Sequence, residues 1–597
     1  MLTERRRRAF TPAFLSRVAI AWIAISAVLV AIRWSALSSG QFPDSDDIMR
    51  LIQVRDLLAG QSWFDVTQYR VDAVNGGVPM HWSRIVDIPI VLTILALTPF
   101  VGAASAETAA LVIVPLLTLG LTLLLCARIA WRLLGDEVTT LTILVMAISL
   151  PILFKFGPMR IDHHGWQIVC ALVAVNGLTA RSDKVAGRMI GASLAVWLAI
   201  SIEGLPVAAM FFAVLGLRWL QRHGDHVALV SAIRTLAVTS AALFVATRGI
   251  FDYATYCDAI SPLHIAMFGW AAMVLTTTSR IRPIGPGLIW GGMIVAAGGA
   301  GAMLLTAAPQ CVTGGGFAQL DPLVAYYWHS NVLEGMPIWR QEPDIALRFM
   351  VGPLIGLIAA VNLIGQSRDW TRRFWREYAL ILMASVLVSV FIARAGSLAC
   401  ALAAPPLAWQ LRVWLLSFRS SRRPVSRVTA MAGLAIALIP TLPLIVLTKA
   451  MPAEASGGEP QDAGALASYR PDCRVERAAE VLEPLAPGEV FASFELSPYL
   501  LFADHTVVAT SHHRGNEGMR FLIATSLGSS DAARKALVER GTEYVALCPE
   551  QAEARLYSKA APDGFVAALR GDTVPDWLEP LPVRNGSTLR LWRVRSE

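Results

Sequence analysis

A chain of 597 residues that is 55% hydrophobic and only 16% charged, with a mean hydropathy of +0.54, lies outside the balance of soluble domains and reads as a polytopic membrane protein. Its net charge of +7 does not point to nucleic acid, because the arginines and lysines fall in short clusters between apolar runs, where they set orientation. Seven cysteines without a single Cys-x-x-Cys pair exclude a metal finger or a dithiol redox motif.

Arg5 to Arg8 precede the first apolar run, at about residues 18–32, and place the N-terminus in the cytoplasm. No small-x-small cleavage site follows, so this run is expected to stay as an anchor. It delivers a large loop, 38–87, to the outer side. Counting the run 88–101 as a span would put Arg128 and Arg132 outside, so it is expected to lie in the outer interface. Runs 108–125 and 139–154 then pass inward and outward, which leaves Asp162, His163 and His164 outside.

Basic clusters at 181–188, 218–222, 280–282, 368–376 and 419–427 mark the later inner loops, while Glu203, residues 251–261, a long loop 308–344 and the turn around Arg394 fall outside. About thirteen spans result, the last near 430–447. The expected organisation is a transmembrane catalytic module over 1–450, a linker rich in Pro, Gly, Glu and Ala over 451–465, and an extracytoplasmic domain over 466–597. Strand-like runs at 490–494, 506–510 and 544–547 alternate there with helical ones, the pattern of a small α/β domain. This topology describes a multi-pass inner-membrane protein whose tail is periplasmic or otherwise extracytoplasmic. It also puts Cys257, Cys311, Cys473 and Cys548 in a compartment that permits disulfides. Cys257 with Cys311 and Cys473 with Cys548 are the pairings considered, with free thiols as the alternative.

Eight of the ten histidines (81, 163, 164, 264, 329, 505, 512 and 513) fall on or near the outer face. Chemistry is therefore expected outside, where no nucleotide is needed and no Walker pattern is present. An activated lipid must then carry the energy. Two polar stretches stand out. Asp162-His163-His164 offers hard oxygen and borderline nitrogen ligands suited to Mn2+ or Mg2+ beside phosphate oxygens. The plain alternative is a solvent-facing helix start in which the histidines cap and Asp162 pairs with Arg160. Asp44, Asp46 and Asp47 put three carboxylates into four residues, able to share a cation; the alternative is an acidic first helical turn favoured by the helix dipole.

Together, the acidic group with Arg50 six residues after Asp44, the segment from Trp63-Phe64-Asp65 into Gly77-Val78-Pro79-Met80-His81-Trp82, and the later Asp162-His163-His164 resemble oligosaccharyltransferase catalytic subunits. The similarity is to the archaeal type, within the GT-C class of membrane glycosyltransferases that use polyprenyl-linked donors. The resemblance implies a divalent cation, Mn2+ or Mg2+, held by Asp44, Asp46, Asp162 and His164. Asp44, Asp46 and Glu334 would be catalytic, Glu334 because Val332-Leu333-Glu334-Gly335-Met336-Pro337 matches a family motif in a mobile outer loop. Arg394 and His81 would bind the donor. Asp47, His163, His512, His513 and Arg514 remain polar candidates without an assigned role.

The implied reaction moves a sugar or oligosaccharide from a polyprenyl-(pyro)phosphate in the bilayer to an extracytoplasmic acceptor. One departure leaves the acceptor open as glycan, lipid or protein: the tail has no Trp-Trp-Asp sequon reader, only Trp577 and Trp592, and reads Phe494-Glu495-Leu496-Ser497-Pro498-Tyr499 in that region. A protein oligosaccharyltransferase with a divergent acceptor reader and a non-catalytic envelope glycan assembly or transport protein are the alternatives.

Overall fold

The first apolar run becomes the helix Pro12–Ser39. Thr11 caps it by accepting from the Phe14 amide, Pro12 occupies a position whose amide needs no partner, and Gly40 at φ +74° ends it. This computed structural model describes residues 10–313, 315–317, 319–450, 473–571, 573–583 and 587–595; the linker expected at 451–465 lies outside the described residues.

Among the described residues, 8 helices are long and apolar enough to cross a membrane, among them Pro12–Ser39, Ala103–Leu133, Val227–Arg248 and Ala393–Ser420, and the chain is an integral membrane protein. Several other segments expected to span are shorter: Asp136–Ile148 has 13 residues, His164–Gly177 has 14 and Pro262–Thr278 has 17. Asp87–Val101, at 15 residues, folds back on Ala103–Leu133 at Gly102. Ile90 and Ile94 pack there against Ala106 and Ala110, while Leu92, Leu95 and Phe100 stay exposed.

The loop that follows the first helix is tightly built. Strands β1 (Thr67–Gln68) and β2 (Val78–Pro79) form a small antiparallel hairpin. Its turn requires Gly77, at φ +87°, where a Cβ would stand 2.8 Å from the Gln68 carbonyl. Beneath it lies a fully buried charge network: Asp87 accepts from Arg50 Nη1 at 2.6 Å, from Arg84 Nη1 at 3.2 Å and from Gln53 Nε2 at 3.2 Å. Arg50 also stacks 4.9 Å over Trp82.

The C-terminal sheet contains β3 (Glu489–Phe491), β4 (Thr506–Val507), β5 (Thr542–Leu547), β6 (Leu578–Leu581) and β7 (Arg590–Val594) in the order β4-β3-β5-β7-β6. β3 runs parallel to β4 and β5, whereas β7 is antiparallel to β5 and β6. The first loop adds itself to this sheet through a parallel bridge of Val71 with Val507, closed by Asp72 N–H to the Val507 carbonyl at 2.9 Å and Val507 N–H to the Arg70 carbonyl at 2.8 Å.

Ile48, Ile52, Val71 and Met80 consequently share one core with Val490, Leu500 and Val507. Arg540 locks the joint, reaching Asp72 at 2.7 Å and Glu489 at 2.7 Å. The 308–344 loop docks on the opposite side, with Leu323, Val324 and Trp328 packed against a core that includes Val508, Met519 and Tyr557. Both considered disulfides are formed: Cys257–Cys311 ties the base of this loop to residues 251–261, and Cys473–Cys548 closes the tail across a separation of 75 residues.

Candidate active site

Helix Ser45–Leu58 starts with Asp44 as its N-cap, the carboxylate accepting from the Asp46 amide at 3.2 Å. The cap presents all three aspartates of the motif at one end of one helix. The second polar stretch meets them through Arg160, whose buried guanidinium donates from Nη1 to Asp44 Oδ2 at 3.1 Å and to Asp47 Oδ2 at 2.9 Å. Asp47 Oδ1 in turn accepts from the Asp162 amide at 2.9 Å. The pairing of Arg160 with Asp162 therefore gives way to one that joins two motifs over 100 residues apart. Met159, just ahead of Arg160, takes the left-handed conformation at φ +69°, and its amide is held by the Leu111 carbonyl at 2.8 Å.

Asp162 is buried, 8% exposed, rather than solvent-facing. His164 Nε2 lies 3.2 Å from its Oδ2 and His163 Nδ1 contacts its Oδ1. His163 is the N-cap residue of the helix His164–Gly177, but its side chain makes no cap hydrogen bond; both imidazoles approach the carboxylate instead, so that one donor atom from each of the three residues lies within 4.8 Å of the others.

The electrostatics are those of crowded carboxylates. Burial, then Asp44, Asp162 and Glu334, push the Asp46 carboxyl well above the usual range. Burial raises Asp47 to about 7 against the attraction of Arg160. Burial would raise Asp162 too, but His163 and His164 hold it well below its ordinary value. A divalent cation removes such mutual repulsion, and the oxygen-plus-imidazole set suits Mn2+ or Mg2+. The residues present fit such an ion.

Glu334 joins the cluster from the 308–344 loop. Burial opposes its ionisation, yet Lys155, 3.5 Å away, and Arg394, whose Nη1 donates to it at 3.3 Å, hold the carboxyl below its ordinary range. Arg394 also pairs with Glu203. Beside them opens a narrow cleft whose walls include His164, Gln167, Trp197, Glu203, Arg394 and Leu398. Its lining mixes charged and polar groups with apolar ones such as Ile168, Val207 and Val388.

Three functional candidates were missed by motif reasoning: Arg160, Lys155 and Glu203. Lys155 alone left a signal in the sequence, a lysine buried at the end of an apolar run. His81 does not line the cleft. Its Nδ1 lies 2.8 Å from His512 Nε2, and His513 and Arg514 both engage Asp258, at 2.7 and 2.6 Å. His81, His512, His513 and Arg514 thus form a second cluster.

No protein-family model matches the chain, and no curated protein sequence matches it. Solved structures do. The archaeal oligosaccharyltransferase AglB from Archaeoglobus fulgidus, in complex with an inhibitory peptide and a dolichol-phosphate, superposes with a TM-score of 0.63 at 15% identity, over 95% of this chain and 72% of that one. An Archaeoglobus fulgidus oligosaccharyltransferase tethered with an acceptor peptide via a disulfide bond gives 0.61 at 13% identity, over 95% and 72%. Its apo form gives 0.59 at 14%, over 92% and 72%. At these identities the shared property is the fold.

Proposed function

We propose that this chain is a metal-dependent membrane glycosyltransferase of the GT-C class, which moves a sugar or oligosaccharide from a polyprenyl-(pyro)phosphate donor to an extracytoplasmic acceptor. The observation that supports the reading is that Asp162, His163 and His164 each place a ligand atom within 4.8 Å of the others and are tied through Asp47 and Arg160 to Asp44, beside a cleft whose walls include His164 and Arg394. The dolichol-phosphate held by a protein of the same fold supports a lipid-linked donor. About thirteen spans, a cytoplasmic N-terminus and an extracytoplasmic tail in a cell inner membrane complete the proposal.

Mn2+ or Mg2+ at Asp44, Asp46, Asp162 and His164 would supply positive charge to the departing phosphate. The chain's own residues do the rest. Arg394 offers a fork of donors matched to phosphate oxygens; releasing Glu203 and Glu334 frees that fork for the donor. Lys155 adds a second cation on the same side. Glu334, once released, is free to turn toward the carboxylate cluster and the acceptor. Asp44 or Asp46 orients the attacking group or accepts its proton. Trp197 and Leu398 keep water from the lipid end of the cleft.

The direct test compares lipid-linked glycans and envelope polymers in cells with and without the protein. Accumulation of a polyprenyl-linked sugar and loss of one polymer are expected, and restoration by the wild type but not by Asp162→Asn. Unchanged pools in both strains would overturn the proposal.

A further inference from the structure

Away from the carboxylate cluster, three imidazoles from distant parts of the chain converge. His81 closes the first loop, whereas His512 and His513 follow β4 in the C-terminal sheet. Their ring centroids stand 5.0 Å (His81 to His512), 4.9 Å (His81 to His513) and 4.9 Å (His512 to His513) apart, and one nitrogen from each lies within 4.8 Å of the others. A tetrahedral ion with bonds of about 2.0–2.1 Å holds its nitrogens about 3.3 Å apart. Closing the three onto one ion is thus a matter of side-chain rotation.

The surroundings prepare the rings for that role. Asp258 Oδ2 lies 2.7 Å from His513 Nε2 and is anchored by Arg514 Nη2 on its other oxygen at 2.6 Å. A carboxylate can only accept, so Nε2 carries a proton, and the neutral ring then has its lone pair on Nδ1; a carboxylate behind a histidine is the usual partner of a metal-bound imidazole. The His81 carbonyl is fixed by Arg248 Nη2 at 3.0 Å. Burial, then His513 and Arg514, lower the pKa of His512 well below its ordinary value, and burial, then His512 and His513, do the same for His81. Neutral imidazoles repel one another no longer and retain their lone pairs.

We propose that His81, His512 and His513 bind one transition-metal ion of the Zn2+ class, separate from the oxygen-rich site, and that this ion clips the first loop to the C-terminal sheet. Three nitrogen ligands select zinc over magnesium or manganese. Entry of the ion replaces the hydrogen bond between His81 Nδ1 and His512 Nε2, and the His512 proton moves to Nδ1. That shift gives up only the long 3.4 Å contact from the Arg514 amide. Gly316 leaves room over the site: a Cβ there would stand 2.9 Å from Asp258 Cβ and 3.5 Å from His513 Nε2, so the loop that carries Glu334 passes directly above.

The test needs no enzymatic activity. The full-length protein is purified in detergent, stripped with chelator and loaded with Zn2+ or Co2+. One tightly held zinc per chain, and the intense visible absorption of four-coordinate Co2+, are expected for the wild type and for Asp162→Asn alike. Both signals should vanish in the His512→Ala/His513→Ala double variant and weaken at least tenfold in His81→Gln. A wild type that retains no zinc overturns the proposal whether or not the variants fold, as does a folded double variant that retains zinc as the wild type does. Loss of zinc from Asp162→Asn would equally refute a separate site.

Discussion

Asp47 makes the metal-free protein behave in a direction opposite to ordinary acid denaturation. Its carboxyl is fully buried and raised to about 7 from the ordinary 3.8. A folded chain then binds a proton between those values that the unfolded chain does not, so this contribution to stability is complete below 3.8 and is lost as pH rises through 7. Lowering the pH from about 8 to about 5.5 in the presence of chelator gains about 2 kcal/mol from this one group, at about 1.36 kcal/mol per pH unit below 7. Asp47→Asn keeps the shape and cannot titrate. The assay is tryptophan-monitored unfolding in detergent for both proteins at both pH values. The difference of differences should be about 2 kcal/mol in the direction of wild-type stabilisation by acid. Saturating Mn2+ should flatten this dependence, because an ion held by the neighbouring carboxylates keeps Asp47 ionised in the folded chain and no proton is then taken up on folding. Identical pH responses of the wild type and Asp47→Asn without metal would refute the reasoning.

Chelation should abolish transfer and Mn2+ or Mg2+ restore it; full activity after verified metal removal would count against the oxygen-rich site. Arg394→Lys keeps the charge but loses the fork, so the donor KM should rise about tenfold with kcat less affected, read from initial rates against donor concentration. Asp87→Ala strands the buried Arg50 and Arg84 and should lower stability by about 3–5 kcal/mol in thermal unfolding. Replacing Cys473 and Cys548 together by serine releases a closed loop of 75 residues, which the chain-entropy model puts at about 4 kcal/mol, measurable by denaturant unfolding.

The two acidic motifs were legible in the sequence because each is a local pattern, several chelating side chains within a few residues. What joins them was not. Arg160 reaches Asp44 and Asp47 across 116 and 113 residues, and nothing local distinguishes it from an arginine paired with the adjacent Asp162. Lys155 closes an apolar run, a place where a lysine ordinarily snorkels to water, and only the fold shows it buried beside Glu334. Glu334 and Arg394 were found separately, and only the fold shows them in contact. The alternation of strands and helices announced a C-terminal α/β unit, but not that Val71 would extend its sheet, since a bridge of single residues leaves no periodicity. Helices such as Asp136–Ile148 and His164–Gly177, at 13 and 14 residues, lean on their neighbours and need not be long.

The core shared between the first loop and the tail sets a timetable for synthesis. Ile48, Ile52 and Val71 emerge early, yet Val490, Leu500 and Val507, against which they are buried, are encoded more than 400 residues later. At about 5–20 residues per second, the loop waits roughly 20–90 seconds with its apolar face uncovered. A chain cut short before β3 leaves that face permanently bare. Quality control of this protein is thereby tied to completion of its last domain, and a nascent loop of this kind is a natural client for a chaperone on the side of the membrane where it emerges.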